Sequence, residues 1–304
     1  MILYLTEFKC PVQGVLSLND YMGQYARELA VAVETAIEAG RVVRRMYDAA
    51  SAETYIKQDG SPVTDADLAS DRIVRERLGT AFPDDAVLTE EGIDDPARRS
   101  NRRVWIVDPI DGTQQFIDRT GQFDVVIALA VDGEVVVSAI HQPTADQTLI
   151  AVAGGGAWIR RGDEARHFRF EPFGGGAVRL YTSVYFGAPE SLPILRRLSG
   201  YLGGVEPGVS RWGVTPRELF ADGRYDALIG LYVPPRATIA WEWDFAAPDL
   251  FTREAGGCFT DLQGNRFHYN KLDARNYGGL LMVRDERIHG QVRDAITALD
   301  IPTV

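Results

Sequence analysis

The chain of 304 residues is long enough to bury a large core, and 43 acidic against 32 basic side chains leave it a net charge of −11. That charge argues against a nucleic acid polymer as partner, since such polymers are held on Lys/Arg surfaces, and no run approaches the ~18 apolar residues of a membrane span. Cys10 and Cys258 are too few and too far apart for a disulfide framework or a zinc site, and Glu7 and Lys9 break the apolar start that a signal peptide would need, so a reduced, cytoplasmic chain without a membrane partner is expected.

Residues 21–47 place Tyr25, Leu29, Val33, Ala36, Gly40, Val43 and Tyr47 at the three-to-four spacing of an amphipathic helix. A second helix is expected over 64–78. The apolar run 104–107 reads as a buried strand ended by Asp108-Pro109. Strands at 125–131 and 135–140 flank Asp132-Gly133, a two-residue hairpin signal. Further strands follow at 148–152 and 157–160. The Gly154-Gly155-Gly156 run between them has no Gly-Lys-Ser/Thr and reads as a turn, not a phosphate loop.

The second half predicts a strand at 178–184, a helix at 192–202, and a helix at 245–255 stopped by Gly256-Gly257. A strand at 279–283 and a helix at 286–299 close the chain. Helices against hairpin-rich sheets predict a layered α/β or α+β sandwich. A lobe boundary at 172–176 would divide it into residues 1–172, with the metal-binding loop and hairpin-rich sheet, and 173–304, an α/β lobe completing the site.

The most informative segment is Trp-Ile-Val-Asp-Pro-Ile-Asp-Gly-Thr at 105–113. Asp108 and Asp111 follow a buried strand, and Pro109 lacks an amide donor and fixes the turn. Both carboxylates and the Ile110 carbonyl then converge, the oxygen-only set that hard cations such as Mg²⁺ take. Amides of Gly112 and Thr113 would meet an anion if a helix starts there. The competing reading is a capped turn.

Three other acidic segments are ambiguous alone. Thr64-Asp65-Ala66-Asp67 is also a capping box. Asp65, Asp67 and Glu76 fit three positions of a calcium loop, but Ser70 stands where glycine is required and Ala69 supplies no ligand. Glu90-Glu91 is equally a solvated strand end. Asp244, in Trp241-Glu242-Trp243-Asp244, is equally a helix cap.

Taken together, these motifs resemble the inositol monophosphatase superfamily of metal-dependent, lithium-sensitive phosphatases. The resemblance rests on Val63 to Asp67, Glu90-Glu91, the 105–113 segment with Phe116, and Trp243-Asp244-Phe-Ala-Ala leading to Glu254-Ala-Gly-Gly. It implies an α-β-α-β-α sandwich of the inositol monophosphatase and fructose-1,6-bisphosphatase type, usually dimeric, with two or three Mg²⁺ per site. Glu90, Asp108 and the Ile110 carbonyl would hold one ion, and Asp108, Asp111 and Asp244 a second. A third would lean on Glu90. Asp67 and Thr113, with Glu90, would orient and deprotonate water, while Asp111, Gly112, Thr113, Arg211, Thr215 and Glu242 would meet the substrate. A catalytically inactive relative that only binds a metabolite would lack part of this set, and no part is missing.

For the substrate, Arg211 to Pro216 departs from the family's small-residue run, and Ala237 stands where inositol phosphatases place a glutamate. Residues 116–123 are similar to the bacterial 3′(2′),5′-bisphosphate nucleotidase branch. Trp212, Tyr232 and Trp241 are candidates to stack a base, and Arg236 to meet a second phosphate. A bisphosphorylated nucleotide is therefore favoured over an inositol, sugar or polyol phosphate.

Overall fold

The structure, a computed structural model, describes residues 23–186, 188–220, 224–231 and 240–303. The expectations placed on Tyr232, Arg236 and Ala237 lie outside the described residues.

Five layers stack in the order helix, sheet, helix, sheet, helix. The outermost pair is α1 (Ala26–Ala49) and α2 (Asp65–Ala81), whose apolar stripes pack together and onto the first sheet. That sheet has seven strands in chain order: β3 (Ala86–Thr89), β4 (Arg103–Asp111), β5 (Asp124–Val131), β6 (Glu134–Gln142), β7 (Gln147–Val152), β8 (Gly156–Arg161) and β9 (Glu164–Phe168). β3 and β4 are parallel and every later pair is antiparallel. A small hairpin precedes α2, made of β1 (Thr54–Ile56) and β2 (Pro62–Thr64), and a five-residue helix α3 (Thr113–Ile117) follows β4.

The second sheet mixes β10 (Leu180–Ser183), β11 (Gly208–Ser210), β12 (Ala227–Gly230), β14 (Cys258–Thr260) and β16 (Leu280–Val283) in the order β11-β10-β12-β16-β14. Its outer face carries α4 (Ala188–Tyr201) and α7 (Glu286–Ala298). Between the sheets lies α6 (Glu242–Glu254), with the one-turn α5 (Arg217–Phe220) leading into β12. Strands β13 (Ala240–Trp241) and β15 (Arg275–Asn276) pair beside the start of α6. Three apolar clusters fill the four gaps, the central one covering both faces of α6 and joining Ile106, Ala128 and Ile140 of the first sheet through Phe245 and Leu250 of α6 to Leu228 and Met282 of the second.

Local sequence explains the joints. Asp132 and Gly133 both take positive φ, so the right-handed strand twist continues through the β5–β6 turn. Gly154 and Gly156 also have positive φ, and their amides donate to the two Glu254 oxygens at 2.9 Å. The glycine run is a turn that anchors the end of α6. The strand expected to end at Asp108-Pro109 instead runs to Asp111 through a register shift, because a bulge accommodates a residue with no amide to donate. Among the described residues no helix is long and apolar enough to cross a membrane.

Candidate metal and phosphate site

The site forms where two parallel strands end. β3 and β4 pair Thr89 with Val107, and the Glu90 amide donates to the Val107 carbonyl at 3.2 Å. Glu90 and Asp108 therefore leave the sheet side by side. The bulge around Pro109 turns the next residues: the Ile110 amide donates to Asp108 Oδ1 at 3.0 Å, and Ser70 on α2 holds the Pro109 carbonyl at 2.8 Å. Gly112 then reverses the chain into α3 with a φ of 99°. A Cβ there would sit 2.9 Å from the Gln122 carbonyl oxygen, so glycine is required by both conformation and space.

Two helix starts contribute the remaining acids. Asp67 Oδ2 accepts from the Thr64 amide at 2.8 Å and the Thr64 hydroxyl at 2.5 Å, capping α2. Its other oxygen accepts the Thr113 hydroxyl at 2.8 Å. Asp244 Oδ2 accepts the Trp241 amide at 2.6 Å at the start of α6. Asp67 thus caps α2 and also bonds Thr113, and Asp244 caps α6 and also lies against Asp108 and Asp111.

Asp108, Asp111 and Asp244 bring carboxylate oxygens within 4.8 Å of one another. Burial holds all three above the ordinary carboxylate range, and neighbouring acids add to it: Glu90 acts on each, and Asp244 on both Asp108 and Asp111. Asp244 is pushed up to about 7. Like charges ~4 Å apart repel by about 4 kcal/mol at an effective dielectric of about 20, so the cluster is costly without cations. A hard cation holds oxygens at roughly 2.0–2.6 Å, which matches the span and the oxygen-only chemistry of these donors. A divalent cation fits here.

A lysine of the protein itself also faces the acids. Lys57, at the tip of the β1–β2 hairpin, donates to Glu90 Oε1 at 2.6 Å and Glu91 Oε1 at 2.9 Å. Burial opposes its charge, but the two glutamates more than offset this and hold the amine above its ordinary value. Glu91 is pushed up to about 7, by burial first and Glu90 second.

Around the acids is a cleft of about 360 Å³, floored by Asp108, Ile110 and Asp111 and edged by Gly112, Thr113, Tyr185 and Trp241. A model of the inositol monophosphatase family matches residues 24–296. The chain belongs to the inositol monophosphatase family. It is 32% identical over 245 residues to a 3′(2′),5′-bisphosphate nucleotidase CysQ of Aggregatibacter actinomycetemcomitans, covering 80% of this chain and 87% of that one. It is 30% identical over 241 residues to a histidinol-phosphatase of Chlorobaculum parvum, covering 79% and 87%. Among solved structures, CysQ from Bacteroides thetaiotaomicron, a bacterial member of the family, superposes with a TM-score of 0.70 at 26% identity, covering 85% of this chain and 97% of that one. As a member of this family the protein is an enzyme, of the phosphoric monoester hydrolase class.

Of the residues expected at a family site, Glu90, Asp108, Ile110, Asp111, Gly112, Thr113 and Asp244 line this one cleft. Asp67 stands behind it and reaches it through Thr113. Three expected substrate contacts do not line the cleft that the described residues form. Glu242, two residues from Asp244 on the helix, points the other way. It is fully buried, accepts the Asn270 and Lys271 amides at 2.7 and 2.9 Å, and pairs with the Lys271 amine at 3.4 Å. Thr215 is buried with its hydroxyl toward the Arg217 amide at 3.5 Å, at the start of α5. Arg211 is exposed on the loop after β11.

The sequence reading missed Lys57, Tyr185 and Gly213. A need for compensating charge near so many acids pointed to some cation, and Lys57 just before the Asp59-Gly60 turn was available. Tyr185 carries no such signal; its hydroxyl donates to Gln115 Oε1 and its ring edges the cleft. Gly213 lies so close to Asp111 that a Cβ would sit 2.4 Å from Oδ1.

Proposed function

We propose that the protein is a Mg²⁺-dependent phosphomonoesterase that attacks a small soluble phosphate ester with water, and that the ester is a 3′(2′),5′-bisphosphorylated nucleotide. The carrying observation is the carboxylate cluster of Asp108, Asp111 and Asp244 set beside the Thr113–Asp67 hydrogen bond. Glu90, Asp108 and the Ile110 carbonyl would hold one ion, Asp108, Asp111 and Asp244 a second, and Glu90 a third. When bound, divalent cations neutralise the ester's charge and make nearby water more acidic.

The chain's own groups do the rest. Thr113 donates its hydroxyl proton to Asp67, which leaves its oxygen lone pairs free to accept a hydrogen bond from the attacking water. Asp67 then takes up a proton through Thr113, a role helped by burial, which holds its carboxyl above the ordinary range despite the bonds from Thr64 and Thr113. Gly112 and Thr113 line the cleft, and their amides would orient the phosphate oxygens. In this reading the assembly is a homodimer, which sedimentation would check.

The nucleotide reading is supported by the similarity to a bisphosphate nucleotidase, the 116–123 segment, and one aromatic. Trp241 edges the cleft, is 38% exposed, and lies stacked on Trp243 with centroids 4.9 Å apart and planes at 5°. Trp212 does not line the cleft formed by the described residues. A base stacked on an aromatic contributes ~1–3 kcal/mol, roughly ten- to hundred-fold in kcat/KM if kept in the transition state. At fixed Mg²⁺, 3′-phosphoadenosine 5′-phosphate is expected to be hydrolysed at least about tenfold more efficiently than inositol 1-phosphate. Equal or reversed efficiencies would remove the nucleotide reading and leave the phosphatase reading standing. Histidinol phosphate belongs in the same panel, given the second relative. Trp241→Ala should lose nucleotide efficiency while hydrolysis of a small generic ester stays nearly unchanged.

A further inference from the structure

Directly across β4–β5 from Asp111 stands Asp124, its register partner at the bulge. Asp124 is buried, and the cation beside it comes from the other sheet's side of the molecule. Arg217, the first residue of α5 and itself buried, donates from Nη2 to Asp124 Oδ1 and from Nη1 to Gln147 Oε1, both at 2.7 Å. It thus spans two strands of the first sheet, β5 and β7, from a loop that belongs to the second. Asp124 Oδ2 and Arg217 Nε are buried with no hydrogen-bond partner among the described residues. A pair that leaves polar atoms unsatisfied is weak as a stabiliser, because buried ion pairs often fail to repay their desolvation. That leaves open a role in position.

What it would position is the loop between β11 and α5. Gly213 on that loop approaches the Asp111 carboxylate so closely that a Cβ there would have to displace it. Side chains tether the loop at both ends, and among the described residues the Tyr181 hydroxyl also donates to the Thr215 carbonyl at 3.5 Å. Ser183 donates to the Trp212 carbonyl at 2.7 Å, and Arg217 grips β5 and β7. The guanidinium also lies within reach of the Trp212 ring, 5.8 Å from its centroid.

We propose that Arg217, held by Asp124 and Gln147, is a positioning residue that seats Gly213 against Asp111 and thereby sets the affinity of the second cation position. This rests on the assignment of Asp111 as a metal ligand. Nothing in the motif spacing marked it: Arg217 lies just beyond the run expected to meet substrate, and Asp124 reads as an ordinary strand start.

The test is Mg²⁺ titration calorimetry, with parallel kinetics, on the native chain and on the double variant Asp124→Asn/Arg217→Gln. Neutralising both partners avoids leaving one buried charge alone. The expected result is a folded protein whose weaker Mg²⁺ site loses about tenfold in affinity, the usual scale for an outer-shell partner. The Mg²⁺ concentration for half-maximal rate should rise in step, while KM for the phosphate ester at saturating Mg²⁺ stays near native. A double variant that melts earlier yet binds Mg²⁺ as the native chain does would overturn the proposal and leave the pair merely structural. Should the double variant fail to fold, Gln147→Leu removes one arm and keeps the ion pair. It is expected to raise the half-saturating Mg²⁺ by about two- to threefold, a fraction of the outer-shell scale, and an unchanged value would overturn the proposal equally. Absence of Mg²⁺ uptake by the native chain would overturn the metal assignment itself, and this inference with it.

Discussion

At Asp67 the two carboxylate oxygens face different neighbours: one caps α2 through Thr64, the other takes the Thr113 hydroxyl. Substitutions should separate these roles. Thr113→Ala is expected to bind Mg²⁺ nearly as the native chain does while kcat falls by about 10²-fold or more, the scale of a lost proton-transfer partner. Asp67→Asn should show the same kinetic loss together with about 1 kcal/mol of lost stability from the cap. Normal turnover in both would leave Asp67 as a cap alone. Glu242 is the opposite case. Its carboxylate anchors the 270–271 turn from a buried position, so Glu242→Ala should lower stability by roughly 1–3 kcal/mol through two orphaned amides. Its KM should hardly move; a large rise in KM at native stability would return Glu242 to the substrate site. Which carboxylates face the cleft could be read from motif order, since Asp108 and Asp111 flank a proline directly after an apolar run. Which way Glu242 and Thr215 point could not, because a shift of two residues on a helix, or one reversal in a loop, reverses the facing without changing the composition.

At the level of elements, strongly patterned segments were legible and short buried ones were not. The long helices α1 and α7 and the β5–β6 hairpin follow from spacing and from Asp132-Gly133. β12, Ala-Leu-Ile-Gly, is buried along its whole length and so shows no alternation to read. β1, β11 and β13 are two or three residues long and are defined by their partners. The hairpin of β1 and β2 matters most, since it delivers Lys57 to Glu90 and Glu91 from more than thirty residues away. The β4–α3 junction yields a sharper prediction. Gly112→Ala forces a side chain into a φ of 99° and against the Gln122 carbonyl, so it should destabilise the fold by about 1–3 kcal/mol. Activity should drop further than stability alone explains, as the turn carrying Asp111 and Thr113 shifts. Denaturant melts showing no loss would mean that the turn relaxes freely.

Over the whole molecule, the acids couple stability to pH and to metal. Burial raises Asp108, Asp111 and Asp244 above the ordinary carboxylate value, with Asp244 near 7 and Glu91 near 7. Between the ordinary range of about 4 and those raised values, these carboxyls hold more protons in the folded chain than in the unfolded chain. Their contribution to the stability of the metal-free protein therefore falls as pH rises through that window; buried His141, held down to about 3, works the other way below its ordinary value, but it is outnumbered by the four raised carboxyls. Metal reverses the trend, because ionised carboxylates bind cations and protons compete with them. In excess EDTA the thermal midpoint is expected to be lower at ~pH 7.5 than at ~pH 5.5, and Mg²⁺ should raise it more at the higher pH. A metal-free midpoint that climbs with pH, with no response to Mg²⁺, would mean that the cluster is relieved in some other way. Chelation should cost activity far more than it costs the fold, since the three apolar clusters do not include the acids.

If the Asp108–Asp111–Asp244 cluster works only when divalent cations occupy it, catalysis must follow the metal. Phosphate release from 3′-phosphoadenosine 5′-phosphate tests it most directly, measured on the native chain with Mg²⁺, with excess EDTA, and with Mg²⁺ on Asp108→Asn. Release is expected with Mg²⁺ alone, is expected to fall with millimolar Li⁺, and should not rise above background in the other two conditions. Undiminished release in excess EDTA, or from Asp108→Asn, would contradict it.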